Sequence, residues 1–446
     1  MEMSRDKVGD VRKYTWAHKS QRLSEPQQRP VRTMVTRSQR SPDPGLLCGL
    51  PAELLHMLLD TLSVLEISVF SMVSKEMAGY VVDYISSMAW KNKNIVSSFH
   101  NNMYLEQRCT VQHYRELGLL FKRCTLLLPT KERLKFVFCM FSQVPCFVLE
   151  QCIAPHCAGF SRYGAFLKTL IAGWDELECY RVFNFLCDFT NLLQKTEAVI
   201  SAKPGVKRFQ ELQLRLFCRQ VLLDSWQNES ECQFWLIQLL KPWPMVSQAH
   251  LLFILYGPLL PEGALGWQAL VERGLPHGAL WDMAKAILML FGKVEVKGWT
   301  TDSMLVIIEE LIAVPEPWHV ENVARLLVLC GSRLCYTVLA SKALGGRVSE
   351  ISTLFIYIIL VCEKDGYHMS WAVKLVQQIC KVFTSTPEKF CFIQQLENKF
   401  SEVTKEFLDS NLTGNHFEDA ETFHTLSILL DSSAHFHTKL LHMLLK

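Results

Sequence analysis

Metal-type ligands crowd one short stretch of the chain: Cys146, Cys152, His156 and Cys157 lie within twelve residues. Structural zinc sites take cysteines with two to four residues between them, with a second pair completing the tetrahedron. Cys152-x4-Cys157 has that separation, but no second pair follows at workable spacing. We read the stretch as buried thiols on a short connector and expect no metal and no cofactor. Gly159-Phe160-Ser161-Arg162-Tyr163-Gly164 imitates a nucleophile elbow, yet its second glycine is one residue late and no strand pattern precedes it. Neither G-x4-G-K-[ST] nor G-x-G-x-x-G occurs, which argues against a phosphate-cradling loop. No nucleophile, base and orienting acid converge, so an enzyme is not expected.

The remaining polar clusters have structural readings. Asp175, Glu176 and Glu178 precede Arg181; on a helix Glu178 and Arg181 form a surface pair worth about 0.3 kcal/mol, with Leu177 and Phe185 turned inward. Trp243, stiffened between Pro242 and Pro244, is read as a plug between two helices. Sixteen cysteines without a single C-x-x-C pair suit reduced core thiols in a reducing compartment.

The elements that carry these residues are helical. Apolar residues recur at intervals of three and four from Leu46 almost to the end, interrupted at Lys203-Pro204-Gly205, Pro242-Trp243-Pro244, Gly257-Pro258 and Pro315-Glu316-Pro317. Period-2 alternation is rare, and 21 glycines in 446 residues leave few turn-makers for an all-β design. The expected fold is all-α: a large irregular helical domain, with solenoid stacking left open because no fixed repeat length emerges. Residues 1–45 differ. They mix Arg, Gln, Ser and Pro without a helical period and end in Ser41-Pro42-Asp43-Pro44-Gly45, so a disordered basic arm is expected there. Ten Lys/Arg against four acids give residues 1–41 a balance of +6, against −4 for the rest. The N-terminus carries no apolar signal core. The most apolar run, residues 351–362, reaches only about 18 Å as a helix, short of a bilayer. No membrane contact is expected, and an intracellular setting, nuclear and/or cytoplasmic, is.

The most informative segment is LPAELLHMLLDTLSVLEISVFSMVSKEM, residues 50–77. Pro51 suits the first turn of a helix, and Glu53 favours the positive end of its dipole. Leu50, Leu54, Leu55, Leu58 and Leu62 form one stripe. Ser63 and Glu66 make an S-x-x-E capping box that starts a second helix, whose apolar face is expected to be Ile67, Phe70, Val73, Met77 and Val81. A helical hairpin this small needs its apolar face completed by a partner or by the following domain.

The order of residues, Leu50-Pro51-x-Glu53-Leu54-Leu55, Leu58-Leu59, Leu62, Glu66-Ile67 and Val73-Ser74-Lys75, resembles the F-box. Met77 departs from it, standing where the family commonly has an aromatic. The stretches 114–136, 172–193, 215–226, 234–246, 324–335 and 360–374 are similar to parts of one member of that family. What the resemblance implies is an F-box module over 46–90 and a client-holding domain over 91–446. The module would bind a Skp-family adaptor through Leu50, Pro51, Glu53, Leu54, Leu55, Leu58, Leu62, Ile67, Phe70 and Val73, and through it a cullin-RING ubiquitin ligase. The client is an unknown protein, and the implied setting is germ-line or meiotic. The rival reading is a helical scaffold that meets chromatin through nucleic-acid contacts of the basic arm.

Overall fold

Among the described residues the three- and four-residue spacing is realised as twenty α-helices, with no strand beyond one isolated bridge, Leu259 to Leu265. The structure, a computed structural model, describes residues 50–96, 107–150, 158–226, 228–276, 278–292, 300–413 and 419–444. The basic arm 1–45 and Cys152, His156 and Cys157 lie outside the described residues. Ala52–Lys446 forms one compact unit.

The first module is α1 (Ala52–Thr61), α2 (Val64–Phe70) and α3 (Lys75–Ile85). The capping box forms as the spacing predicts: Glu66 N donates to Ser63 Oγ at 3.3 Å and Ser63 N donates to Glu66 Oε2 at 2.7 Å. The Ser63 backbone N–H foremost, and then the Ser63 hydroxyl, which donates to Glu66 Oε2 at 2.8 Å, hold the Glu66 carboxyl below the usual carboxylate range. The expected second helix, however, is two. Ser71 Oγ donates to the Ser68 carbonyl at 2.8 Å, and Ser74 caps α3 by accepting from Met77 N at 3.2 Å. Serine hydroxyls that satisfy local backbone groups compete with a continuing helix. The hairpin is thereby corrected to a three-helix module, and Val73 falls in the turn, 67% exposed, instead of on an inner face.

A short α4 (Met88–Lys91) continues into a π-helical turn over Asn92–Val96. Then α5 (Gln107–Cys124), α6 (Thr130–Phe141) and α7 (Gly159–Leu170) pack around a lattice of rings. Phe141 stacks on Phe147 at 4.3 Å, Phe147 on Tyr163 at 3.7 Å, and Phe121 meets Phe166 edge-on at 6.0 Å. Helix α5 lies against α2 on one side and α7 on another. The α5–α7 crossing is close because Gly118 sits in it: a Cβ there would stand 2.7 Å from the Phe166 carbonyl oxygen. Gly164, the second glycine of the elbow-like motif, lies mid-helix, where a Cβ would collide with the Gln220 carbonyl.

From α8 (Glu176–Thr190) and α9 (Leu192–Ile200) onward the chain becomes an array of stacked helices. One row is α11 (Glu229–Leu240), α13 (Trp281–Phe291), α15 (Val320–Leu329), α17 (Val348–Lys364) and α19 (Thr386–Thr413), each packed on the next member. The other runs through α10 (Arg208–Phe217), α12 (Met245–Tyr256) and α14 (Thr301–Leu311), then α16 (Gly331–Leu344), α18 (Met369–Cys380) and α20 (Asp419–Leu444). Lys342 on α16 reaches Glu309 on α14 at 3.4 Å and joins the two halves of that row. Packing of each helix on its second neighbour is the solenoid arrangement. The apolar run 351–362 is the buried middle of α17, and no described helix is long and apolar enough to cross a membrane. The apolar periodicity between Pro317 and Gly345 is divided at Gly331, whose φ of +79° is left-handed and ends α15. Trp243 plugs the α11–α12 corner as expected: half-buried, it donates from Nε1 to the Leu239 carbonyl at 3.0 Å.

Gly118→Ala and Gly164→Ala are each expected to cost about 1–3 kcal/mol, because backbone on the neighbouring element has to move. Gly79→Ala, in α3 with nothing within 4 Å of the added carbon, is expected to be neutral or to stabilise by about 0.4–1 kcal/mol. Calorimetric thermal unfolding of the three variants checks the contrast; equal transitions would contradict the close crossings. Met77 is 2% exposed inside the first module. Met77→Trp, which restores the family's aromatic, is therefore expected to overpack this core and lower the transition by a similar about 1–3 kcal/mol, read in the same assay.

Candidate functional site

Helix α1 is apolar over an arc too wide for one partner, and the fold cuts that arc lengthwise. Leu55 and Leu59 enter the core at 1% and 0% exposure. Leu54, Met57 and Leu58 face water at 49%, 65% and 36%. On α2, Val64, Ile67 and Ser68 are buried while Leu65 and Val69 stay exposed, followed by Met72 and Val73 in the turn. Met57 and Leu58 lie three and four positions after Leu54, and Val69 four after Leu65, so each set lies on one side of its helix, with Met72 in the turn three residues beyond Val69. Large apolar groups concentrated in this way mark an interaction surface, because leaving them in water costs the free chain stability.

Hydrogen bonds hold this surface from behind. Tyr84 Oη on α3 donates to Asp60 Oδ1 on α1 at 2.6 Å, and burial together with that bond keeps the phenol protonated well above its ordinary range. Arg123 Nη1 on α5 donates to Ser68 Oγ at 2.7 Å, and Ser68 Oγ donates in turn to the Leu65 carbonyl at 2.8 Å. The inner faces of α2 and α3 rest on α5. The following domain thus completes one side of the module, and the other side is left open.

The ten residues singled out in the sequence divide three ways. Pro51, Glu53, Leu54, Leu58 and Val73 are exposed; Leu50, Leu62 and Phe70 are half-buried; Leu55 and Ile67 are core. The structure adds Met57, Leu65, Val69 and Met72 to the open face. A signal for them existed. Val64-Leu65-x-Ile67-x-Val69-Phe70 is apolar around the whole helix, and such a helix needs cover on two sides.

The other candidate residues that lie among the described ones are taken up in packing and surface pairs. Cys146 is buried, and the described residues contain no cluster of His, Cys, Asp and Glu fit for a metal. Twelve described cysteines are in no disulfide, and burial pushes thiols such as Cys330 and Cys362 up to about 12. Ser161 of the elbow-like motif lies on α7 and donates to Gln220 Oε1 at 3.0 Å. Glu178 pairs with Arg181 and accepts from Thr130 Oγ1 at 2.6 Å, as a surface pair does. Leu177 is 59% exposed, not inward as the spacing suggested, because it falls in the first turn of α8, whose buried residues begin at Val182. A hollow beside Trp318 and Leu354 carries charges already matched within it: Lys342 and Arg347 against Glu309 and Glu350.

Relatives cover nearly the whole of this architecture. The chain is 45% identical over 412 residues to F-box only protein 47 of Mus musculus, an alignment spanning 90% of this chain and 91% of the mouse protein. To F-box only protein 47 of Homo sapiens it is 44% identical over 404 residues, 90% of this chain and 89% of the human one. A family model described as FBXO47, ARM repeats, matches residues 188–446, the stretch that contains the stacked rows α9 to α20. No solved structure matches. With identity at this level along nine-tenths of its length, the chain belongs to the F-box only protein 47 family.

Proposed function

We propose that the chain is the non-catalytic substrate receptor of an SCF-type cullin-RING ubiquitin ligase. Its F-box module, residues 46–90, docks a Skp-family adaptor, and its solenoid, within 91–446, holds a protein client. The observation that carries this reading is the open apolar face of α1 and α2, Leu54, Met57, Leu58, Leu65, Val69, Met72 and Val73, on a module whose inner face is already filled. In this reading Leu55 and Ile67 position the face from within the core, while Leu54, Leu58 and Val73 touch the adaptor. Pro51 and Glu53 set the start of α1 and contribute less. The chemistry is proximity: with adaptor and client both held, ubiquitin transfer is carried out by the ligase at a raised effective concentration of client lysines. The setting we assign is intracellular, nuclear and/or cytoplasmic, in germ-line or meiotic cells. The +6 balance of residues 1–41 favours one second reading, a chromatin scaffold that recruits no ligase; it requires salt-dependent DNA binding by that arm.

Leu54→Ser combined with Leu58→Ser removes two side chains from the open face without touching the core. Buried interface anchors cost about 2 kcal/mol or more when truncated, so affinity for purified Skp-family adaptor is expected to fall by about 30-fold or more in calorimetric titration. The circular dichroism and thermal transition should be unchanged. Wild-type affinity in this variant would reject the F-box reading and leave the scaffold.

A further inference from the structure

The last described helix of the array, α20, is apolar over more of its surface than its own molecule covers. Its inner arc packs on α17, α18 and α19, with Leu426, Leu429 and Phe436 buried. Beside that arc runs a second line: Phe423, Ser427, Leu430, Ala434, His437 and Leu441, at intervals of four, three, four, three and four residues. Phe423, Leu430 and Leu441 are 67%, 51% and 58% exposed, and Ser427 and Ala434 between them are exposed as well. His437 is half-buried, its Nε2 lying 2.8 Å from Glu397 Oε1 on α19. Alternation of fours and threes is the spacing of a seam that meets another helix along its whole length. On α20 it is offered by a helix of 26 residues, about 39 Å long. The exposed charges nearby, Asp431 and Lys439, stand off this line.

The order of side chains along the seam indicates what covers it. A helical array remains soluble when its last helix shows water a polar face, and α20 shows an apolar one. Read backwards, the seam is its own complement. When two copies of α20 lie antiparallel about a twofold axis at position 432, Leu430 of one faces Ala434 of the other, and Ser427 faces His437. Each central layer thus sets a large side chain against a small one, twice over. Phe423 and Leu441 meet at the two ends, where crossed helices diverge and leave room for two large groups. A patch that complements itself under a twofold is what an isologous dimer requires, whereas an unrelated partner places no such condition on it.

We propose that α20 is the interface of a twofold dimer of this chain, the partner being a second copy whose α20 packs antiparallel along the Phe423–Leu441 seam. The two arrays then share one apolar layer across the axis. This contact uses none of the residues assigned to the adaptor, so it stands or falls independently of that reading.

The test is sedimentation velocity of the purified full chain over a concentration series, with circular dichroism of every variant. The wild-type chain is expected to show a monomer–dimer equilibrium. Leu430→Glu places a charge in the seam from both copies and is expected to raise the dimer dissociation constant about 100-fold or more, with helicity unchanged. Leu430→Ala opens a void opposite Ala434, and Ala434→Leu sets leucine against leucine; each is expected to weaken the dimer about tenfold. The double variant Leu430→Ala, Ala434→Leu exchanges large for small within the facing pair and is expected to return to within about threefold of wild type. A wild-type chain that sediments as a monomer at every concentration overturns the proposal. So does a dimer that survives Leu430→Glu, which places the contact elsewhere, and so does an exchanged variant no tighter than the two single ones, which excludes the antiparallel register. Loss of helicity in Leu430→Glu assigns Leu430 to the molecule's own core and overturns it as well.

Discussion

The packing of α5 supports everything around it. Tyr114, Leu117, Leu120 and Phe121 on this helix are fully buried. Along one side α5 supplies the core that α2 and α3 lack; along another, Gly118 lets it approach α7 at backbone distance. A module of about 40 residues cannot exclude enough water to stand alone. Because α5 satisfies its inner face, the outer face of α1 and α2 is free to remain apolar and open. Phe121 alone lies within 6.4 Å of the ring centroids of Trp90, Phe136, Phe141 and Phe166, so the first helices and those after α5 share one hydrophobic cluster.

The solenoid repeats the same constraint without a sequence repeat. Each helix pair leaves a face that only the next pair covers, so stacking propagates by burial. Apolar contact sets few directions, and buried polar groups set the register. Arg215 donates to the carbonyls of Ile254 and Gly257 at 3.0 and 2.8 Å; burial, with Arg219 nearby, lowers its pKa only to about 10, so it stays charged at neutral pH. Glu211 accepts from Trp267 Nε1 at 2.9 Å while Trp267 stacks on Phe253 at 3.9 Å. Arg325 binds Asp365 at 3.1 Å and the Leu275 carbonyl at 3.1 Å. Loss of one partner from such a group strands a buried charge, which is far costlier than the bond is worth.

In the receptor proposed above, which would act by proximity, stiffness between the two docking faces matters more than any single contact. A long flexible connector would dilute the client around the ligase, whereas a continuous core keeps the distance set. The chain joins its F-box to its repeats through packed helices, with Arg123, Arg133 and Lys122 bonded across the junction between α2, α6 and the residues after α7.

What the sequence by itself determined is local. The helical class, the start of α1 at Pro51 and Glu53, the Ser63–Glu66 cap and the order of residues that marks the F-box depend on neighbours within a turn or two, which a linear pattern contains. The break at Ser71–Ser74 was written in the same local terms but was masked by apolar residues that keep helical spacing across it. Only the tertiary structure decided which edge of the Leu50–Leu62 stripe is core and which is surface, that Met77 packs inward, and that helices stack on their second neighbours. Periodicity states which side of a helix is apolar. Whether that side meets another helix or water depends on elements tens to hundreds of residues away, and no local pattern carries that information.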